Sequence, residues 1–133
     1  MIHGSCLCGG VRFEFPRAVT PVGMCHCSLC RKASGTASNA VLLAPKVELR
    51  WLAGEALLQT FTRPTGWGTT FCRTCGAPMP HPHPSGGAYY VPAGCLDDDP
   101  GVAVGGHIFV GSKAPWDEIS GSAPQFDERP PAR

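Results

Sequence analysis

Residues 24–35, "MCHCSLCRKASG", place three thiols within six positions: Cys25, Cys27 and Cys30. Thiols at that spacing chelate a metal, cross-link or exchange electrons. Zinc takes four ligands in a tetrahedron. Structural sites close all four positions with protein, and catalytic sites keep one for water or substrate. A CxCxxC supplies three. Two more pairs and a single thiol make up the eight cysteines: Cys6/Cys8, Cys72/Cys75 and Cys95. "FCRTCG" (71–76) is a zinc-knuckle pattern, a tight turn that presents two thiolates, and Gly76 tolerates positive φ where the chain must double back. "SCLCGG" (5–10) repeats the logic with one spacer fewer and Gly9 in the matching place.

Two plus two makes a closed site of Cys6, Cys8, Cys72 and Cys75, although spacing alone equally lets Cys6/Cys8 join part of the second cluster. Cys25, Cys27 and Cys30 then form a site with one position left, where a zinc ion would acidify an exogenous thiol and hold it as thiolate. The alternative is Cys95 as fourth ligand, which makes that site structural; Cys95 otherwise reads as a small buried apolar residue at a strand end. In an extended segment the His26 side chain points away from both neighbouring cysteines, so it supports the site from behind or faces solvent.

Composition narrows the class. The chain has 133 residues, only 16% of them charged, with 17 Gly and 14 Pro. That favours one domain of short strands and many turns. Net charge is +1 and no basic run exceeds Arg31-Lys32, so a nucleic-acid partner is not expected. No apolar run is long enough to span a membrane. The opening "MIHGSCLCGG" does not read as a secretory signal, so the expected location is cytoplasmic, where clustered cysteines bind metal rather than pair as disulfides.

The elements that must carry these thiols are mostly strands. "VRFEF" (11–15) alternates, 39–52 gives two strand runs broken at Pro45, and 57–62, 68–72, 88–96 and 107–110 are further candidates. "SLCRKASG" (28–35) alone reads as helical, over at most two turns. The expected architecture is a small, mainly antiparallel β domain over residues 1–120, with 121–133 a loose polar tail. Among other polar residues, His81 and His83 sit in an extended "PHPHP" segment and do not complete a metal site. Asp97–Asp99 read as a turn before Pro100. His107 suits a pocket wall, the core or acid–base work, and Trp51, Trp67 and Trp116 suit the core or a pocket rim. Arg31 and Lys32 either neutralise the thiolates and meet a substrate carboxylate, or are solvated charges.

Several separated motifs in order resemble the glutathione-dependent formaldehyde-activating enzyme family, which includes centromere protein V. They are "GSCLCGGVRFE", "CHCSLCRKASG", "FCRTCG", "AGCLDDDPG" and "HIFVGSKAPW", spanning residues 4 to about 117. The resemblance implies a β-tent of antiparallel sheets with short helical turns and two zinc ions per chain. It assigns Cys6, Cys8, Cys72 and Cys75 to a structural zinc and Cys25, Cys27 and Cys30 to a catalytic one. It also implies a carbon–sulfur lyase that condenses glutathione or a similar small thiol with formaldehyde or a related aldehyde. The expected state is a monomer or homodimer. The competing expectation is a non-catalytic zinc module, a thiol or aldehyde carrier or a protein-interaction domain, with both metals structural.

Overall fold

The computed structural model describes residues 1–131. Its strands are β1 (Ile2–Ser5), β2 (Arg12–Phe15), β3 (Val22–Cys25), β4 (Asn39–Pro45), β5 (Arg50–Ala53), β6 (Leu58–Thr62), β7 (Gly68–Cys72), β8 (Pro78–Met79), β9 (His81–Pro82), β10 (Ala88–Pro92) and β11 (Val104–Ile108). One α-helix, α1 (Ser28–Ser34), lies between β3 and β4. Short 3-10 turns occupy Glu55–Leu57, Ala93–Cys95 and Val110–Ser112.

The alternation in β2 puts Phe13 and Phe15 on one face, and both are fully buried together with Val11. Their rings stack 6.3 Å apart, and Trp51 of β5 meets Phe13 edge-on at 5.7 Å. β1 and β5 flank β2 antiparallel to form a three-stranded sheet. Pro45, which has no N–H to continue a ladder, ends β4. The chain then turns through hydrogen bonds from the Glu48 and Leu49 N–H groups to the Pro45 carbonyl and enters β5 in this other sheet.

The largest sheet has five strands in the order β11-β3-β4-β10-β9, and β6-β7-β8 form a third. Leu42, Ala44 and Val91 face the common core with Met79 and Cys72. The mainly antiparallel expectation holds with one exception: β11 lies parallel to β3. Short β1, β3, β8 and β9 were not anticipated, because two to four residues containing Gly, Pro or Cys carry no usable periodicity.

Residues 124–128 of the polar tail pair with the edge of the largest sheet. β11 is an edge strand whose outward backbone groups need partners. Residues 124–128 supply them. His107 N–H donates to the Pro124 carbonyl at 2.8 Å, Phe126 N–H to the His107 carbonyl at 2.9 Å, and Phe109 N–H to the Glu128 carbonyl at 2.9 Å. Residues 132–133 of that tail lie outside the described residues.

Candidate metal centres

The first centre is built from two matching knuckles. In each, the N–H of the leading cysteine donates to the carbonyl five residues on: Cys6 to Val11 at 3.1 Å and Cys72 to Ala77 at 3.0 Å. In each, a glycine N–H returns to the leading cysteine's carbonyl, from Gly9 at 3.0 Å and from Gly76 at 2.7 Å. Both glycines have φ of 77°, the left-handed region that a Cβ disfavours. A methyl at Gly76 would meet nothing within 4 Å, so Gly76→Ala carries a purely conformational cost. We expect it to lower stability by about 1–2 kcal/mol, read from thermal melts of the zinc-loaded chain.

The ligand atoms of Cys6, Cys8, Cys72 and Cys75 all lie within 4.8 Å of one another. Cys6 and Cys8 Sγ are 3.5 Å apart, and Cys8 and Cys72 Sγ 3.9 Å. Four sulfurs about 2.3 Å from a zinc ion in a tetrahedron sit about 3.8 Å from one another, so the set fits that ion. All eight cysteines are free thiols. The Val11 N–H donates to Cys6 Sγ at 3.2 Å. Backbone N–H groups, that of Ala77 first, hold the Cys75 thiol down at about 6.

The second centre comes from one short stretch. Cys25 ends β3, Cys27 is the N-cap of α1, and Cys30 sits in its first turn. Cys27 Sγ accepts the Cys30 N–H at 3.3 Å, as a serine or aspartate cap would. The helix is then stopped by Gly35 at φ 71°. The three sulfurs lie within 4.8 Å of one another and are all half-buried. The Cys30 thiol, donating to Cys25, and the Cys27 backbone N–H lower Cys25 to about 6. Cys30 is pushed far up by that same contact and by burial. Three thiols this close cannot all ionise unaided, and a bound cation is what lets them. The donor set fits zinc.

Cys95 does not join them. Among the described residues, no fourth Cys, His, Asp or Glu ligand atom lies within that distance of all three sulfurs. Cys95 packs against the core, and burial pushes its thiol up to about 12. It lines a cavity of about 510 Å³. The same cavity is lined by Cys6 of the first centre, by Asn39, the ladder partner of Cys25, and by Ala33 and Ser34, one turn beyond Cys30 on α1; Cys25, Cys27 and Cys30 themselves do not line it. Tyr90 lines it too, with its hydroxyl donating to the Gly68 carbonyl, and burial raises that phenol to about 12.

His26 is buried rather than at the surface, and its Nε2 lies 2.9 Å from His107 Nδ1. Asp117 approaches the same ring, a contact without local sequence signal because it joins residues some ninety positions apart. Arg31 Nη2 donates to the Ser112 carbonyl at 3.2 Å, whereas Lys32 is exposed. The aspartate run ties down β1: Asp97 accepts the Ser5 hydroxyl at 2.8 Å and Asp98 accepts the His3 N–H at 2.8 Å. Trp51 packs on the core as expected, but Trp116 is 70% exposed and lines neither core nor cavity.

His81 is buried and belongs to neither cysteine cluster; its Nδ1 meets Thr70 Oγ1 at 2.9 Å. Burial lowers its pKa, so the unfolded chain takes up the proton first as pH falls below about 6.5. The stability present above that pH is therefore lost on acidification. His81→Gln is expected to flatten the decline in melting temperature as the pH falls below about 6.5.

A small, mainly β protein with two cysteine clusters suited to zinc is the class that fold and sites define. The family described as glutathione-dependent formaldehyde-activating enzyme matches residues 1–112, and the chain belongs to it. A crystal structure of a Rhodobacter sphaeroides protein, a structural-genomics target, is similar, with a TM-score of 0.62 and 27% identity over 92% of this chain and 98% of that one. Among the described residues, no helix is long and apolar enough to cross a membrane.

Proposed function

We propose that the chain joins a small thiol of the glutathione type to formaldehyde or a related aldehyde at the Cys25, Cys27 and Cys30 centre. On this reading Cys6, Cys8, Cys72 and Cys75 hold a structural zinc. The observation that carries it is the convergence of three sulfurs with no fourth donor among the described residues; a cavity of about 510 Å³ is lined by Asn39, the ladder partner of Cys25, and by Ser34 of the helix that carries Cys30. That volume falls in the range of small-molecule sites, roughly 300–1,000 Å³. Membership of the family supports the choice of thiol and aldehyde.

The reaction balances simply. The thiol sulfur bonds to the aldehyde carbon, and the thiol proton ends on the aldehyde oxygen. A zinc ion at the three cysteines would supply Lewis acidity that raises the thiolate fraction of the incoming thiol near neutral pH. The chain's own residues bind and orient. Asn39 and Ser38 line the cavity and offer polar groups to a peptide-like thiol, while Ser34 and Thr36 beside them are tied by their hydroxyls to the Ser38 carbonyl. Tyr90, committed to the Gly68 carbonyl and held neutral, forms a fixed wall rather than a base. Because the uncatalysed addition is itself easy, the gain comes from thiolate fraction and positioning. Reactants and ligands of this kind suit a reducing cytoplasm.

The test is adduct formation from glutathione and formaldehyde, followed with zinc-loaded chain against buffer holding the same free zinc. Acceleration in proportion to protein is expected. Equal rates would leave the carrier or interaction-module reading in its place.

A further inference from the structure

The two centres differ in how their geometry is secured. Cys6/Cys8 and Cys72/Cys75 come from knuckles far apart in sequence, each hydrogen-bonded within its own turn. Cys25, Cys27 and Cys30 come from one six-residue stretch, so the directions of their sulfurs depend on what holds that stretch.

His26 lies in that stretch between Cys25 and Cys27, and its ring nitrogens do not join the cluster of sulfurs. It is 2% exposed. Its backbone N–H donates to the Ile108 carbonyl at 3.0 Å. Its Nε2 lies 2.9 Å from His107 Nδ1, and its Nδ1, which has no hydrogen-bond partner, lies 3.6 Å from Asp117 Oδ2. The neighbours are themselves fixed. His107 is laddered to Met24 on one side and hydrogen-bonded to Pro124 and Phe126 on the other. Asp117 donates its N–H to the Ala114 carbonyl at 3.1 Å and accepts Lys113 Nζ on its own carbonyl at 2.9 Å.

The contacts select a tautomer. If His26 donated from Nε2, its bare Nδ1 would face the Asp117 carboxylate, lone pair against anion. If His107 donates from Nδ1, His26 accepts at Nε2 and turns its Nδ1–H toward Asp117. The second arrangement is favoured by charge: it clamps the imidazole by a hydrogen bond at Nε2 and by the attraction of a carboxylate 3.6 Å from Nδ1. A clamped ring fixes the peptide planes on either side of His26, and those planes aim Cys25 and Cys27.

We propose that His107, His26 and Asp117 are a positioning unit for the second metal centre, through which residues 107–117 hold the Cys25–Cys27 turn in ligand geometry. The inference rests on the reading that Cys25, Cys27 and Cys30 bind a metal. Partners of this kind, standing behind the ligands, typically change metal affinity by about 10–100-fold.

The experiment is a zinc competition titration of the full chain against a chromophoric chelator, resolving two affinities, with Cys27→Ser marking which belongs to the second centre. His107→Leu is expected to weaken that zinc by about 10–100-fold and leave the other unchanged. His107→Asn, whose amide reaches the place of Nδ1, is expected to recover most of the loss. Asp117→Asn, which keeps shape without charge, is expected to fall between. A general loss of packing would lower both affinities together and would not be rescued by Asn; either pattern overturns the proposal. So does an unchanged second affinity in His107→Leu, or in Asp117→Asn should the leucine variant not fold. Wild-type chain that binds one zinc overturns this inference and the two-centre reading alike. Two zincs with variants indistinguishable from wild type overturn the inference alone.

Discussion

Cys27→Ser is expected to keep its fold, bind one zinc instead of two, and lose at least about 100-fold of any acceleration of thiol–aldehyde addition. The substitution separates two duties of one sulfur. Cys27 caps α1 by accepting the Cys30 N–H at 3.3 Å, and its sulfur is one of the three clustered where a metal could be held. Serine is among the preferred N-caps, so the helix start survives with a change of no more than about 1 kcal/mol. What disappears is a thiolate, and a two-sulfur site cannot compete for zinc at neutral pH. Zinc per chain, melting temperature and adduct rate together decide the matter. Serine variant and wild type accelerating addition equally would sink the catalytic assignment.

Cys72→Ser is expected to do the opposite: abolish the cooperative melt rather than the chemistry alone. Cys72 is fully buried at the end of β7, and its sulfur meets Cys8 from the N-terminal knuckle. Structural zinc contributes roughly 10–16 kcal/mol of apparent binding free energy in small domains, against a typical net stability of about 5–15 kcal/mol. Removing one donor from the closed site therefore removes an amount comparable with the whole stability of the fold. Prolonged chelation of wild-type chain should give the same loss of near-UV dichroism. A Cys72→Ser chain that melts sharply and at the wild-type temperature would show that this cluster does not hold the fold together.

These two outcomes bear on the same asymmetry. The four-cysteine group draws half its donors from each of two distant turns, so the ion there would cross-link the chain. The three-cysteine group is local, closes no long loop and leaves no fourth protein sulfur, so an ion there would contribute less to folding and more to chemistry. The fate of Cys95 separates this from the module reading. Packed against the core with its thiol raised by burial, it stands apart from the three sulfurs.

The thiol groupings, the turn glycines after each knuckle and most of the longer strands were legible in the residues. Each depends on neighbours within a few positions: CxC and CxxC spacing, a glycine at positive φ, alternation in "VRFEF" that buries Phe13 and Phe15. The partition of cysteines between clusters was open from spacing, since nothing local says which knuckle meets which. The parallel pairing of β3 with β11 and the capture of residues 124–128 by that edge strand carry no local pattern at all. The same holds for the ring of contacts around His26. That it stands apart from the clustered sulfurs was legible from the alternation of an extended segment, but its burial between His107 and Asp117 follows only from the chain returning beside β3. Sequence alone determined which side chains have the chemistry to bind metal, because ligand type and short-range geometry are local properties. Tertiary structure alone decided which of them meet and what stands behind them, because those contacts join segments whose separation along the chain no short-range rule can bridge.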